Sequence, residues 1–171
     1  MLVPLFLVLR ICNMEFLMDI CRLTDDFVRD YPAAEYPELM YKIGRPYNCL
    51  LIDVHLDDYF IFVPYRSNIR HNNAFKFKGT ERAKKHNSGL DYTKIILIKK
   101  YEYGTDRNIV IDQDEYNETR RNIQKIATKV LEYIDTYVNH CNGTKVLHPR
   151  KFERKYKYST LRYFHDLLKL E

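Results

Sequence analysis

The chain has 171 residues and a mass of 20.7 kDa, with 46% apolar and 14% aromatic residues, no Trp and 15 Tyr. That size and composition suit one folded domain with its own core, and exclude a disordered tail or a scaffold that needs disulfide or metal staples. The net charge of +5 hides an asymmetry: residues 66–100 hold ten Lys plus Arg against two Asp plus Glu, whereas residues 1–65 hold five against ten. A polyanionic partner is therefore expected against the middle of the chain, nucleic acid before membrane.

Residues 1–13 are apolar for nine positions and then meet Arg10. The run is too short to cross a bilayer and lacks a basic leader, so it does not read as a signal. Residues 1–17 read as an N-terminal extension or a misassigned start, packing as a strand or a helix if translated. A single domain is expected over residues 18–171, opening with a strand from Met18 to Leu23. Thr24, Asp25 and Asp26 then start a short helix that Pro32 stops, and a second short helix is expected from Pro37 to Gly44. Arg45 follows as a phosphate contact or a surface partner of Glu38.

Residues 47–55 and 59–65 read as two strands of a hairpin, turning at Leu56, Asp57 and Asp58. The second strand breaks into Arg66, Ser67, Asn68, Arg70, His71, Asn72 and Asn73. Two guanidiniums, a hydroxyl, an imidazole and three amides at a strand end suit a phosphodiester. The strand that resumes at residues 74–78 places Lys76 and Lys78 on one face and Phe75 and Phe77 on the other. Residues 79–90 read as a mobile basic loop, either reaching phosphate through Arg82, Lys84 and Lys85 or simply solvated. Residues 91–101 read as the strongest strand.

A short strand over residues 108–111 precedes one long helix, starting at Asp112, Asp114 and Glu115 and ending near His140. Those three acids serve as its cap in preference to half a metal site. Its stripe, Ile123, Ile126, Val130, Ile134 and Tyr137, is core, and Arg121, Lys125 and Lys129 make a basic ridge that flanks a groove or meets solvent. Gly143 ends the helix. Residues 144–158 interleave six cations with Phe152, Tyr156 and Tyr158, a pattern suited to phosphate contact with base stacking. A closing helix over residues 159–170 buries Leu161, Phe164, Leu167 and Leu168. The expected class is α+β, a twisted, largely antiparallel sheet with flanking helices.

Cys12, Cys21, Cys49 and Cys141 show no metal spacing and read as reduced thiols in a cytoplasmic protein. The six His are scattered too, so no metal and no cofactor are expected. Phosphate loops of the G-x-x-x-x-G-K-[ST] type, the dinucleotide fingerprint, the nucleophile elbow and the kinase set are all missing from the sequence. What remains supports phosphodiester chemistry on RNA, where the neighbouring 2′-hydroxyl is the nucleophile.

Residues 45–98, with RPYNCLLIDV, FVPYRSNIRHNNAFKFK and SGLDYTKIILI, resemble the ribonuclease toxins of type III toxin-antitoxin systems, the ToxN, AbiQ, TenpN and CptN group, and most closely its CptN and TenpN branches. LTDDFVRDYP with its following PEL, and IDQDEY, extend the likeness over most of residues 18–140. The resemblance implies a Kid- and MazF-like core. It implies a metal-independent endoribonuclease of bacterial phage defence that leaves a 2′,3′-cyclic phosphate and a 5′-hydroxyl. It also implies inhibition by a repeated pseudoknot antitoxin RNA, which the toxin processes and holds in a closed protein–RNA assembly.

ToxN relatives carry Thr-Ser and then Lys in this loop, where the present chain has Arg66, Ser67, Arg70 and His71. Ser67 carries over, while the Thr and Lys do not. His71 is then the expected acid or base, Ser67 positions the scissile phosphate, and Arg66 and Arg70 stabilise the phosphorane. Arg45, Asn68, Lys76, Lys78, Arg82, Lys84, Lys85, Lys94, Arg150, Lys151, Arg154, Lys155 and Lys157 are the expected RNA contacts. A non-catalytic RNA-binding module is the alternative, and a DNA-binding regulator is weaker because no recognition helix is evident.

Overall fold

The computed structural model describes residues 9–11, 14–41, 47–54, 58–99, 103–105 and 109–171. Arg45, Gly44 and the hairpin turn at Leu56 and Asp57 lie outside these residues. The architecture is α+β, and every strand pairing among the described residues is antiparallel.

Four consecutive strands form the sheet's frame: β1 (Leu9–Ile11), β2 (Met14–Leu23), β3 (Asn48–Val54) and β4 (Tyr59–Arg66). β2 thus begins four residues before the expected Met18 and pairs with β1 across Ile11 and Met14. The β3–β4 hairpin forms as the alternation of apolar residues requires, with Leu50 opposite Val63 and Ile52 opposite Ile61, all buried. Continuous burial of Ile61, Phe62, Val63 and Pro64 shows that β4 is covered on both faces.

The far side of β4 carries a correction to the sequence reading. Residues 91–101 do not form one strand. β6 (Gly89–Asp91) and β7 (Ile96–Lys99) both pair with β4, separated by a 3-10 turn at Tyr92–Lys94. Leu90 faces Tyr65 and Ile96 faces Phe62, so six residue steps on one side lie against three on β4. The Asp91 carboxylate makes this outward turn by accepting from the Thr93 N–H at 2.9 Å and its hydroxyl at 2.7 Å. β5 (Ala74–Lys76) pairs with β6, and β8 (Gly104–Thr105) pairs with β2; of the strand expected at residues 108–111, residue 108 lies outside the described residues and residues 109–111 form no strand.

Thr24 caps α1 (Asp25–Asp30) through the Phe27 N–H. The expected second helix is only a 3-10 turn, Pro37–Leu39, because Met40 enters the left-handed region at φ 55° and redirects the chain. The segment at residues 79–90 is not an open loop: Thr80 caps α2 (Glu81–His86). The long helix is two, α3 (Gln113–Arg121) and α4 (Ile123–Cys141), broken at Asn122, whose amide nitrogen bonds back to the Glu118 carbonyl. All five residues of the expected stripe on α4 are buried. The basic run folds as α5 (Pro149–Tyr156), capped by His148, and the chain closes on a 3-10 turn, Thr160–Tyr163, capped by Ser159. Leu161, Phe164 and Leu168 enter the core there. Among the described residues no helix is long and apolar enough to cross a membrane.

Candidate active site

The loop after β4 is held at several points along its length. Asn68 adopts φ 61° and gives its N–H to the His86 carbonyl, while Ile69, buried, gives its N–H to the Asn87 carbonyl at 3.2 Å. Asn87 is itself left-handed at the end of α2, so two short polar residues absorb the strained backbone where helix and loop meet. At the loop's far end the Tyr92 N–H reaches the Asn73 carbonyl at 3.0 Å, and Asn73 Nδ2 donates to the Lys155 carbonyl at 3.4 Å. The polar loop is therefore a fixed platform joined to α5.

Asp91 sits under this platform and is only 1% exposed. Its Oδ2 accepts from Arg66 Nη1 at 2.9 Å, and its Oδ1 lies 3.3 Å from His71 Nε2 as well as on Thr93. Burial alone would raise the Asp91 carboxyl, but the bonds from His71 and Thr93 and the His71 and Arg66 charges outweigh it and hold it below the usual carboxylate range. His71 Nδ1 is shielded and has no hydrogen-bond partner among the described residues.

Arg66, Ser67, Asn68, Arg70 and His71 line one cavity of about 320 Å³, with Asp91, Lys94, Arg154, Lys155 and Tyr158. All four expected catalytic residues thus border a single cleft. The Ser67 hydroxyl and the exposed Arg70 guanidinium have no side-chain partner among the described residues, so both are available to a ligand. A neighbouring cavity of about 600 Å³ adds Asn72 and Lys151 and shares His71, Arg154 and Lys155. Among the described residues no three His, Cys, Asp or Glu side chains group as metal ligands.

α5 brings Arg154 and Lys155 to the loop because aromatic side chains lock it onto α4. Tyr156 lies 4.8 Å from Tyr133, and Phe152 stacks at 3.7 Å on His140. This corrects the expectation that Phe152, Tyr156 and Tyr158 all stack bases: Tyr156 is buried, Phe152 is packed, and Tyr158 alone is open.

Several expected RNA contacts have other work. Arg82 places its fork on buried Glu115, with nitrogen–oxygen distances of 2.9 and 2.8 Å, and Ser88 donates to the same carboxylate. Glu118 accepts the Lys78 and Gly79 N–H groups, and Asp114 accepts that of Glu81. As expected, Asp112 is the N-cap residue of α3 and Asp114 and Glu115 lie in its first turn, but Asp112 makes no side-chain cap bond, and Asp114 and Glu115 tie α3 to the α2 segment. Lys94 is buried on Glu38 and the Tyr158 carbonyl, so it is not an outward phosphate contact. Lys76 and Lys78 line a separate groove with Lys125 and Lys129. Lys84 pairs with Glu81, Lys157 lies 3.9 Å from Glu153, and Lys84, Lys85, Arg150 and Lys157 line none of these cavities.

Asp91, Thr93 and Glu38 were missed as site residues. Asp91 has no sequence signal of its own, because it opens a segment, residues 91–101, that reads as plain strand. Compared with known proteins, the chain matches no family model, no curated protein and no solved structure.

Proposed function

We propose that this chain is a metal-independent endoribonuclease that cleaves RNA by attack of the 2′-hydroxyl, leaving a 2′,3′-cyclic phosphate and a 5′-hydroxyl. The observation that carries the reading is the convergence of Arg66, Ser67, Arg70 and His71 on one cationic cleft around the buried Asp91. Arg70 and Arg154 take the phosphate charge, Ser67 bonds a non-bridging oxygen, and Arg66 keeps further N–H groups beyond the one on Asp91. As charge builds on the phosphorane, donors already fixed in place stabilise it most. By way of His71 the proton of the attacking 2′-hydroxyl passes to the departing 5′-oxygen, and Asp91 sets the ring's orientation and tautomer by engaging Nε2. With Nε2 held by Asp91, Nδ1, which has no partner among the described residues, is the nitrogen left for that transfer.

The toxin-like sequence motifs support a type III toxin of bacterial phage defence, with a Kid- and MazF-like core, acting in the cytoplasm. Its controlling partner is then a repeated pseudoknot antitoxin RNA, processed by the toxin and held in a closed assembly through Lys76, Lys78, Lys151 and the cations of α5. The test is to incubate protein purified without metal with mixed RNA in excess EDTA and to read the fragment termini. Site-limited cuts with cyclic phosphates are expected. Tight, salt-sensitive binding of RNA that stays intact would favour the non-catalytic binding module.

A further inference from the structure

We propose that the cleft extends beyond its phosphate-binding loop into a subsite for one unpaired nucleobase, walled by Tyr158 and Met40 and floored by the Lys94 ammonium. The proposal rests on reading the cleft as an RNA site. Tyr158 is 59% exposed and Met40 is 51% exposed, although both are large and apolar. Single exposed apolar residues need no explanation, but these two come from distant parts of the chain and line the same cavity as Arg66, Arg70 and Arg154.

Their placement is built rather than incidental. Lys94 Nζ donates to Glu38 Oε2 at 3.0 Å and to the Tyr158 carbonyl at 2.8 Å. One buried lysine therefore ties the turn that ends at Met40 to the chain that leaves α5. Leu39 is fully buried next to Met40, and the left-handed backbone at Met40 turns that side chain outward. The Lys157 ammonium sits 5.5 Å over the Tyr158 ring and covers one face, leaving the other for a ligand.

An ammonium carries three hydrogens, and only two of those on Lys94 have acceptors among the described residues. The third belongs to a side chain that is nearly buried yet lines the cavity. Apolar walls, one donor in the floor and guanidiniums at one end match a flat heterocycle with acceptors on its edge and a phosphate attached.

The test measures binding of the full chain to a short single-stranded oligonucleotide with 2′-fluoro sugars, which cannot be cut, while an abasic site is moved along it. One abasic position is expected to weaken wild-type binding by roughly tenfold or more. Tyr158→Ala should weaken the intact strand by a similar factor and lose nothing further at that position, while Tyr158→Phe binds as wild type. Wild-type affinity in Tyr158→Ala, full multiplication of the two penalties at every position, or no binding by wild type would each overturn the subsite. Cleavage of ordinary RNA is read separately, so failure of the ribonuclease reading is distinguishable.

Discussion

His71 Nε2 lies 3.3 Å from Asp91 Oδ1, which places the one imidazole of the loop against a carboxylate shut away from solvent. The other oxygen of that carboxylate holds Arg66, so β6 organises the end of β4 and the loop beyond it. Asp91 is also the residue that turns the chain out of β6 through Thr93. Fold and site therefore share one side chain.

Asp91→Asn keeps the shape and removes the charge, leaving the Arg66 guanidinium, mostly buried, without its partner. Loss of roughly 3 kcal/mol of stability is expected at neutral pH. Because the folded-state carboxyl lies below the usual value, its stabilisation is complete above the unfolded-state pKa of about 3.9 and is lost as pH falls through the folded-state value. Urea midpoints measured from neutral to acid pH should fall for the wild type along this limb, and the difference from Asp91→Asn should shrink.

Arg82→Ala removes an outward-looking cation from the sequence but a buried partner from the fold. Glu115 would be left enclosed, and about 2 kcal/mol of stability should go, a figure reduced because Arg82 is about one-third exposed. Chemical denaturation with RNA binding at a temperature where the variant stays folded checks this. Unchanged stability with weakened RNA binding would return Arg82 to the interface.

Arg70 and Arg154 are exposed guanidiniums at the cleft with no ion-pair partner among the described residues. Replacing either with Ala should flatten the slope of log affinity against log salt by about 0.7, the contribution of one phosphate contact on a single strand. Lys84→Ala should leave the slope unchanged.

Gly89 begins β6 so close to β5 that a Cβ would stand 2.1 Å from the Phe75 carbonyl oxygen. Gly89→Ala must part β5 from β6 and shift Asp91, two residues on. A loss of roughly 2 kcal/mol or more is expected, with RNA cleavage falling further than stability alone explains. Thermal melting alongside activity well below the melting point separates the two effects.

The hairpin of β3 and β4, the cap at Thr24 and the buried stripe of α4 were legible because alternation, a capping hydroxyl and three-four spacing are local patterns. The polar loop from Arg66 to Asn73 was legible for the same reason. Asp91 was not, since a single carboxylate in DYTKIILIKK does not announce a register shift of three residues against β4. Nor was the fate of Arg82 or Lys94. Charge is visible in the sequence, but whether a cation meets solvent or a buried Glu is decided by contacts far along the chain. The aromatic run in α5 misled similarly, because a helix turns Phe152 and Tyr156 inward onto α4.

The most direct measurement is single-turnover cleavage of an RNA oligonucleotide by wild type and His71→Ala in excess EDTA, with fragment termini identified and folding and RNA affinity of both proteins checked. The account predicts fragments ending in 2′,3′-cyclic phosphate, and a rate about 100-fold or more slower for His71→Ala at similar affinity. Equal rates for the two proteins, or fragments ending in 3′-hydroxyl and 5′-phosphate, would contradict it.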